Sequence, residues 1–367
     1  PVSTTHPGPD VSELSDMLAE RIESVIADLA LDGRRRGRSF VAFTPWRASH
    51  EPKLYVDVAR RAGAWIDFGS GETGDALNLV AATRNDGRTD RAAKADACSW
   101  ARRFLGLDGV RDPAELERMR AAAKAAAAKR AAAAARELGE QRRTANGLWL
   151  AAEPLAAGTA GWAYLAARGI DLERLPRIPR AIRFAPAAPW YDAGAPGDEP
   201  AHVGPALCSA MTLADGRFGS LHRIWIDPAR PGAKADLSPP RKMWPSSEGC
   251  AIRLWRGESG LSEKEAAAKG VIEDVVVCEG VEAGLSIALM TPELRVTAAG
   301  SLPGLLSWTP PRHARRVIVA ADNDWGKPQA AAMLERACAR LATEFKKTVS
   351  IARSPEGKDF NDLLRGA

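Results

Sequence analysis

The sequence predicts an α/β protein whose C-terminal part is a four-stranded, mostly parallel sheet with flanking helices. An α+β basic subdomain and a small α+β N-terminal domain come before it. Two observations carry this reading. The last hundred residues alternate continuous Val/Ile/Ala runs with amphipathic helical segments, the pattern of a parallel sheet covered on both faces. Upstream, short strand-like pieces are broken by Gly- and Pro-rich turns, and an abrupt Ala/Lys/Arg/Glu stretch divides them into two groups.

Taken in order, residues 1–112 open with the amphipathic "VSELSDMLAERIESVIADL". A basic loop, "DGRRRGRS", leads to the strand-like "SFVAFTP", "KLYVDVA" and "AWIDFG", then to the turn "GSGETGD" and the helical "ALNLVAATR". Residues 113–145 read as a long helical linker, since alanine has the best helix propensity but little apolar mass is present. A solvated spacer and a helix that tracks nucleic acid both suit such a segment. Residues 146–265 hold the helical "TAGWAYLAARGI", stopped at Gly169, and a hairpin turning at Asp215 and Gly216. Residues 266–367 contribute the strands "VIEDVVVC", "LRVTAAGS", "RRVIVAADND" and "KTVSIARS", separated by helices.

Composition narrows the function. With 46% hydrophobic and 26% charged residues, the 367-residue chain can bury ordinary cores over two or three domains. The formal charge is +5, and arginines cluster at Arg34, Arg35, Arg36 and Arg38 and again between Arg118 and Arg143, which suits a polyanionic partner. The cysteines Cys98, Cys208, Cys250, Cys278 and Cys338 form no C-x-x-C pair, which argues against a disulfide framework or a structural zinc site. No long apolar run or signal-like start is present, so the expectation is a cytoplasmic protein with no membrane contact.

Ligands of parallel sheets sit beyond the carboxyl ends of the strands, which places Glu279, Gly300, Asp322 and Asp324 on one rim. Acids this close repel one another and call for cations. An all-oxygen set favours Mg²⁺ or Mn²⁺, shared with substrate phosphates. In an extended terminus, alternate side chains share a face, so Asp322 and Asp324 converge while Asn323 points elsewhere. The plainer alternative is that both aspartates are turn or capping residues. Glu279, followed by Gly280, interrupts an apolar run where a helix is about to begin.

"VVVCEGVEAGLSIA" followed by "VIVAADND" resembles the Toprim domain of DnaG-type primases, topoisomerases and some nucleases. The resemblance implies catalytic and metal-binding roles for Glu279, Asp322 and Asp324, and a tight loop beside the site at Gly300. The closing "GKDFNDLL" resembles the end of Toprim domains in primases of phages, plasmids and mobile elements; it adds Asp359 as a metal ligand, with Asp362 nearby, and Lys358 with Gly280 as nucleotide contacts.

The upstream "YLAARGI", "GRFGSLHRIWID" and "PPRKMWPSSEGCAIRL" resemble the subdomain that precedes Toprim in those primases. By that resemblance Arg223 and Lys242, with Arg241 as companion, line a groove facing the acids. The first region resembles the primase zinc ribbon, but Thr44, Arg47, Asp67 and Ser70 stand near the ligand positions. The expectation is a zinc-free ribbon packed around Trp65, Phe68, Leu77 and Leu79, or one in which Trp65 stacks on a base. The implied activity is a Mg²⁺-dependent primase, a nucleotidyltransferase acting on single-stranded DNA with nucleoside triphosphates, and a separate replicative helicase is a compatible partner. A Toprim nuclease or a catalytically silent DNA-binding accessory protein would carry the same acids.

Overall fold

The computed structural model describes residues 9–109, 113–192, 199–323 and 326–366. The chain divides into two compact units, Pro1–Glu137 and Leu138–Ala367.

The first unit begins with α1 (Val11–Glu20) and α2 (Ile22–Asp28). Asp10 and Glu13 close a reciprocal capping box at the start of α1. Five short strands follow: β1 (Gly33–Arg36), β2 (Ser39–Ala42), β3 (Leu54–Asp57), β4 (Trp65–Asp67) and β5 (Thr73–Gly74). They pair antiparallel in chain order. Then come α3 (Ala76–Arg84) and α4 (Arg91–Phe104), capped by Asp75 and Asp90. Leu14, Leu18, Leu54, Val56, Trp65, Leu77 and Leu79 share one core. The Ala-rich helix α5 (Pro113–Ala151) runs past the expected end at residue 145, and the division between units falls within it. It is not wholly solvated: Leu116, Met119 and Ala123 pack on the core of the first unit.

The second unit contains two sheets. The first is antiparallel and built from β6 (Glu153–Pro154), β7 (Ile182–Trp190), β8 (His202–Thr212), β9 (Phe218–Trp225) and β10 (Arg241–Trp244), with α6 (Ala160–Ala167) between β6 and β7. The β8–β9 hairpin turns at Asp215 and Gly216, where Leu213 N–H reaches Arg217 O at 2.9 Å.

The second sheet uses β11 (Ile252–Arg256), β12 (Glu273–Cys278), β13 (Arg295–Ala298), β14 (Ala314–Ala321) and β15 (Thr348–Arg353). Its helices are α7 (Glu263–Ala268), α8 (Val281–Met290), α9 (Leu302–Ser307), α10 (Pro328–Thr343) and α11 (Phe360–Arg365). The spatial order is β11-β13-β12-β14-β15, with β12–β15 mutually parallel. The expected four strands are therefore joined by a fifth, β11, which pairs antiparallel with the edge strand β13. That edge would otherwise present unpaired backbone groups.

Alternation along the strands sorts the core. Val275, Val277, Val317 and Val319 pack on the α9/α10 side with Leu334 and Leu341. Val276, Cys278 and Ala320 face the opposite way, into a core shared by α8, α6 and the antiparallel sheet through Leu285, Tyr164, Leu207 and Ile224. This second core seats the antiparallel sheet beside the rim of the parallel one.

Candidate active site at the strand ends of the parallel sheet

β12 and β14 run side by side with Cys278 opposite Ala320, so Glu279 and Asp322 leave neighbouring strands at the same end. Both line one cleft with Leu302, Leu305, Ala321, Leu334 and Arg353. Gly280 caps α8, which begins directly after Glu279. The Gly300 N–H donates to the Glu279 carbonyl at 2.8 Å. Gly300 has φ of 83°, and a Cβ there would lie 2.6 Å from the Met243 sulfur. Both conditions favour glycine.

Asn323 is not among the residues lining that cleft, and its side chain turns toward the loop after β15. It is buried, and its side-chain amide donates to the carbonyls of Ser354 and Gly357 at 2.9 and 3.0 Å. Its backbone N–H donates to Lys358 O at 2.7 Å. Asp324 lies outside the described residues. Arg353, at the end of β15, donates from its guanidinium to the Asp322 carbonyl at 2.7 Å. Sequence reading passed over this arginine, although it closes the strand beside the D-x-D strand.

The field at the rim is negative. Burial first, and then Asp322, Glu279, Asp359 and Glu282, push the Cys278 thiol well above its ordinary range. Asp359 also has local work: it caps α11, accepting from the N–H groups of Asn361 and Asp362 at 2.8 and 3.1 Å. Asp362 accepts the Lys358 N–H at 2.8 Å, and Lys358 itself is exposed. Among the described residues, no three His, Cys, Asp or Glu side chains are gathered closely enough to hold a metal. The donor chemistry of Glu279, Asp322 and Asp359, all oxygen and mutually reinforcing in charge, fits a hard divalent cation.

The basic residues fall differently from expectation. Arg223 and Lys242 are cross-strand partners on β9 and β10, and their side chains lie on the face of the sheet that carries Trp190 and Trp225. Arg223 is buried; it stacks on Trp225 and donates to Pro189 O at 2.9 Å. Lys242 sits over Trp190 and bonds to Tyr191 O. The other face of β10 presents Arg241 and Met243, and Met243 is the residue that meets Gly300. Side-chain parity therefore places Arg241, rather than Arg223 and Lys242, on the acid-facing side.

A further acid lies in the first turn of α8. Glu282 is buried, pairs with Lys234 at 2.9 Å and accepts the Tyr164 hydroxyl at 2.8 Å. Burial opposes its charge, but Lys234 and the hydrogen bonds overcome burial and hold its pKa at about 2. His222, buried nearby with Nδ1 unpaired, is driven down to about 4 by burial despite the Glu282 charge.

In the first unit, the four would-be zinc positions form a different structure. Arg47 donates to both oxygens of Asp67 at 2.8 Å, and the Gly69 N–H and the Ser70 hydroxyl add bonds at 2.8 and 3.0 Å. Asp67 is completely buried, and so is Thr44, whose hydroxyl finds no partner. A guanidinium, two hydroxyls and an already saturated carboxylate do not fit zinc. Trp65 is a core residue, edge-on to Trp46, with its indole N–H on Asp75 O at 3.1 Å. Phe68, expected in that core, is instead 63% exposed and meets only the edge of Tyr55 among aromatic rings. Trp65 and Asp67 are the buried positions of β4, so alternation puts Phe68 on the opposite face, with the half-buried Ile66.

Comparison with known proteins agrees with the C-terminal architecture. Residues 274–367 match the Toprim domain family, and residues 139–254 match a domain of unknown function, DUF7146. The Toprim match spans the parallel sheet from Asp274 in β12 through α11. No curated protein matches the chain. Among solved structures, the zinc-binding and RNA polymerase domains of the Aquifex aeolicus primase are 14% identical, with 96% of this chain and 82% of that chain covered and a TM-score of 0.40. A DNA primase domain from Pseudomonas aeruginosa is 15% identical over 62% of this chain and 74% of its own, also at 0.40. The primase fragment of the bacteriophage T7 primase-helicase protein is 16% identical, covering 59% and 76%, at 0.36. Among the described residues, no helix is long and apolar enough to cross a membrane.

Proposed function

We propose that the protein is a DNA primase-like nucleotidyltransferase that joins nucleoside triphosphates on a single-stranded DNA template. The observation that carries this reading is that Glu279 and Asp322 leave adjacent strand ends of the Toprim-matching segment and line one cleft. Mg²⁺ or Mn²⁺ held by Glu279 and Asp322, with Asp324 and Asp359, would neutralise phosphate charge. Glu279 orients the 3′-hydroxyl of one nucleotide. That oxygen gives up its proton to solvent and bonds to the α-phosphorus of the next, the bond from this phosphorus to the bridging oxygen breaks, and pyrophosphate leaves. Arg353 and Arg241 take the anion-binding roles, with Gly280, Gly300 and Lys358 bordering the site. The N-terminal ribbon works without zinc, its loop fastened by the Arg47–Asp67 pair.

The test incubates the protein with single-stranded DNA, labelled ribonucleotides or deoxyribonucleotides, and Mg²⁺. Labelled oligomers are expected. Cut template would identify a nuclease instead, and binding without turnover an accessory protein.

A further inference from the structure

Two helices of the Toprim domain begin directly after candidate metal acids: α8 after Glu279 and Gly280, and α11 after Asp359. The second residue of each helix is buried and polar, Glu282 in α8 and Asn361 in α11. Both are held from outside the parallel sheet. Glu282 takes the Lys234 ammonium, from the β9–β10 connection, and the Tyr164 hydroxyl of α6. Asn361 donates to the Arg168 carbonyl at 2.9 Å and to the Ser286 hydroxyl of α8 at 3.1 Å, and accepts from the Arg168 guanidinium at 3.4 Å. Arg168 closes the circuit: its Nε donates to Gly232 O at 3.1 Å, in the same connection as Lys234, and its guanidinium lies over the Tyr164 ring.

Core packing alone does not call for this arrangement. A buried ion pair is often no more stabilising than apolar residues of similar size, so the Glu282–Lys234 pair at the start of α8, matched by the buried, hydrogen-bonded Asn361 at the start of α11, points to geometry rather than stability. Hydrogen-bonded partners one layer out from metal-ligating side chains commonly set ligand orientation.

We propose that Lys234, Tyr164, Arg168 and Asn361 are positioning residues that fix the starts of α8 and α11, and with them the placement of Glu279 relative to Asp359. The proposal rests on the reading of those acids as metal-binding. It gives the upstream subdomain a second task besides holding nucleic acid: it completes the frame of the metal acids.

The test measures Mn²⁺ binding to the full chain by electron paramagnetic resonance, independently of turnover. Tyr164→Phe, which removes one hydroxyl and keeps the ring, Lys234→Met and Asn361→Ala are each expected to weaken Mn²⁺ binding roughly tenfold. Lys234→Arg is expected to restore most of it. The half-saturating Mg²⁺ concentration for activity should rise in parallel, while KM for nucleotide at saturating metal changes little. If the wild-type protein binds Mn²⁺ and the folded variants bind it equally well, the positioning role is overturned and the metal site stands. If the wild-type protein binds none, the metal reading is overturned and this proposal falls with it. Tyr164→Phe, the mildest change, keeps the test decisive should Lys234→Met fail to fold.

Discussion

Two acidic sites in this molecule use the same side-chain chemistry to opposite ends. At Asp67 every carboxylate demand is met from within: a guanidinium, a backbone N–H and a hydroxyl surround a fully buried group. At Glu279 and Asp322 the acids border an open cleft and several carboxylates act on one buried thiol. A buried carboxylate that brings its own cation is a fastening, whereas Glu279 and Asp322 stand where an approaching ligand could meet them.

The largest effect that could break this comparison is catalytic. Asp322→Asn or Glu279→Gln should lower primer synthesis by about 100-fold or more while leaving the unfolding midpoint near wild type. Full activity in either variant would reduce the rim acids to turn residues. The complementary change, Asp67→Ala, should leave the rim chemistry intact and cost about 3 kcal/mol in denaturant unfolding of the first unit. A negligible cost would mean that this unit is held by apolar packing alone.

Acid titration sharpens the contrast further. His222 has a folded pKa depressed from 6.5 to about 4, so the unfolded chain takes up a proton that the native state refuses. Stability should therefore be full above pH 6.5 and fall as pH drops from 6.5 toward 4, by roughly 3 kcal/mol at most. Glu282, lowered from 4.5 to about 2, adds a second loss as pH falls from 4.5 toward 2. Denaturant midpoints of His222→Leu measured across this range should lack the upper phase and keep the lower one. The smallest effect concerns Phe68: Phe68→Ser should change stability by no more than about 0.5 kcal/mol, because the ring is largely solvated.

The parts of this structure legible in the sequence are those written in local pattern. Continuous apolar runs announced β12 through β15, and the Asp215–Gly216 turn announced its hairpin. What escaped depended on register and on distant partners. Whether Arg223 or Arg241 faces the acids turns on a single-residue parity in the pairing of β9 with β10. The exposure of Phe68 follows from side-chain parity, since Trp65 and Asp67 take the inward face of β4 and Phe68 falls on the other. β11 is short, and nothing local says that its "IRLWR" pairs with β13 rather than with the antiparallel sheet before it. Nothing local sets Glu282 apart from other helix-start acids, and only the fold brings Lys234 and Tyr164 to it.

Asn323 carries a consequence for how this region can vary. It grips the loop after β15 through three backbone carbonyls, those of Ser354, Gly357 and Lys358, and through no side chain of that loop. Pro355, Glu356 and Lys358 are exposed, so they can be exchanged without loosening the end of the D-x-D strand. Asn323 has no such freedom, since few side chains could donate to two of those carbonyls at once. The loop next to the acids is therefore a place where related chains can diverge in charge and shape, retuning what approaches the rim while its frame stays the same.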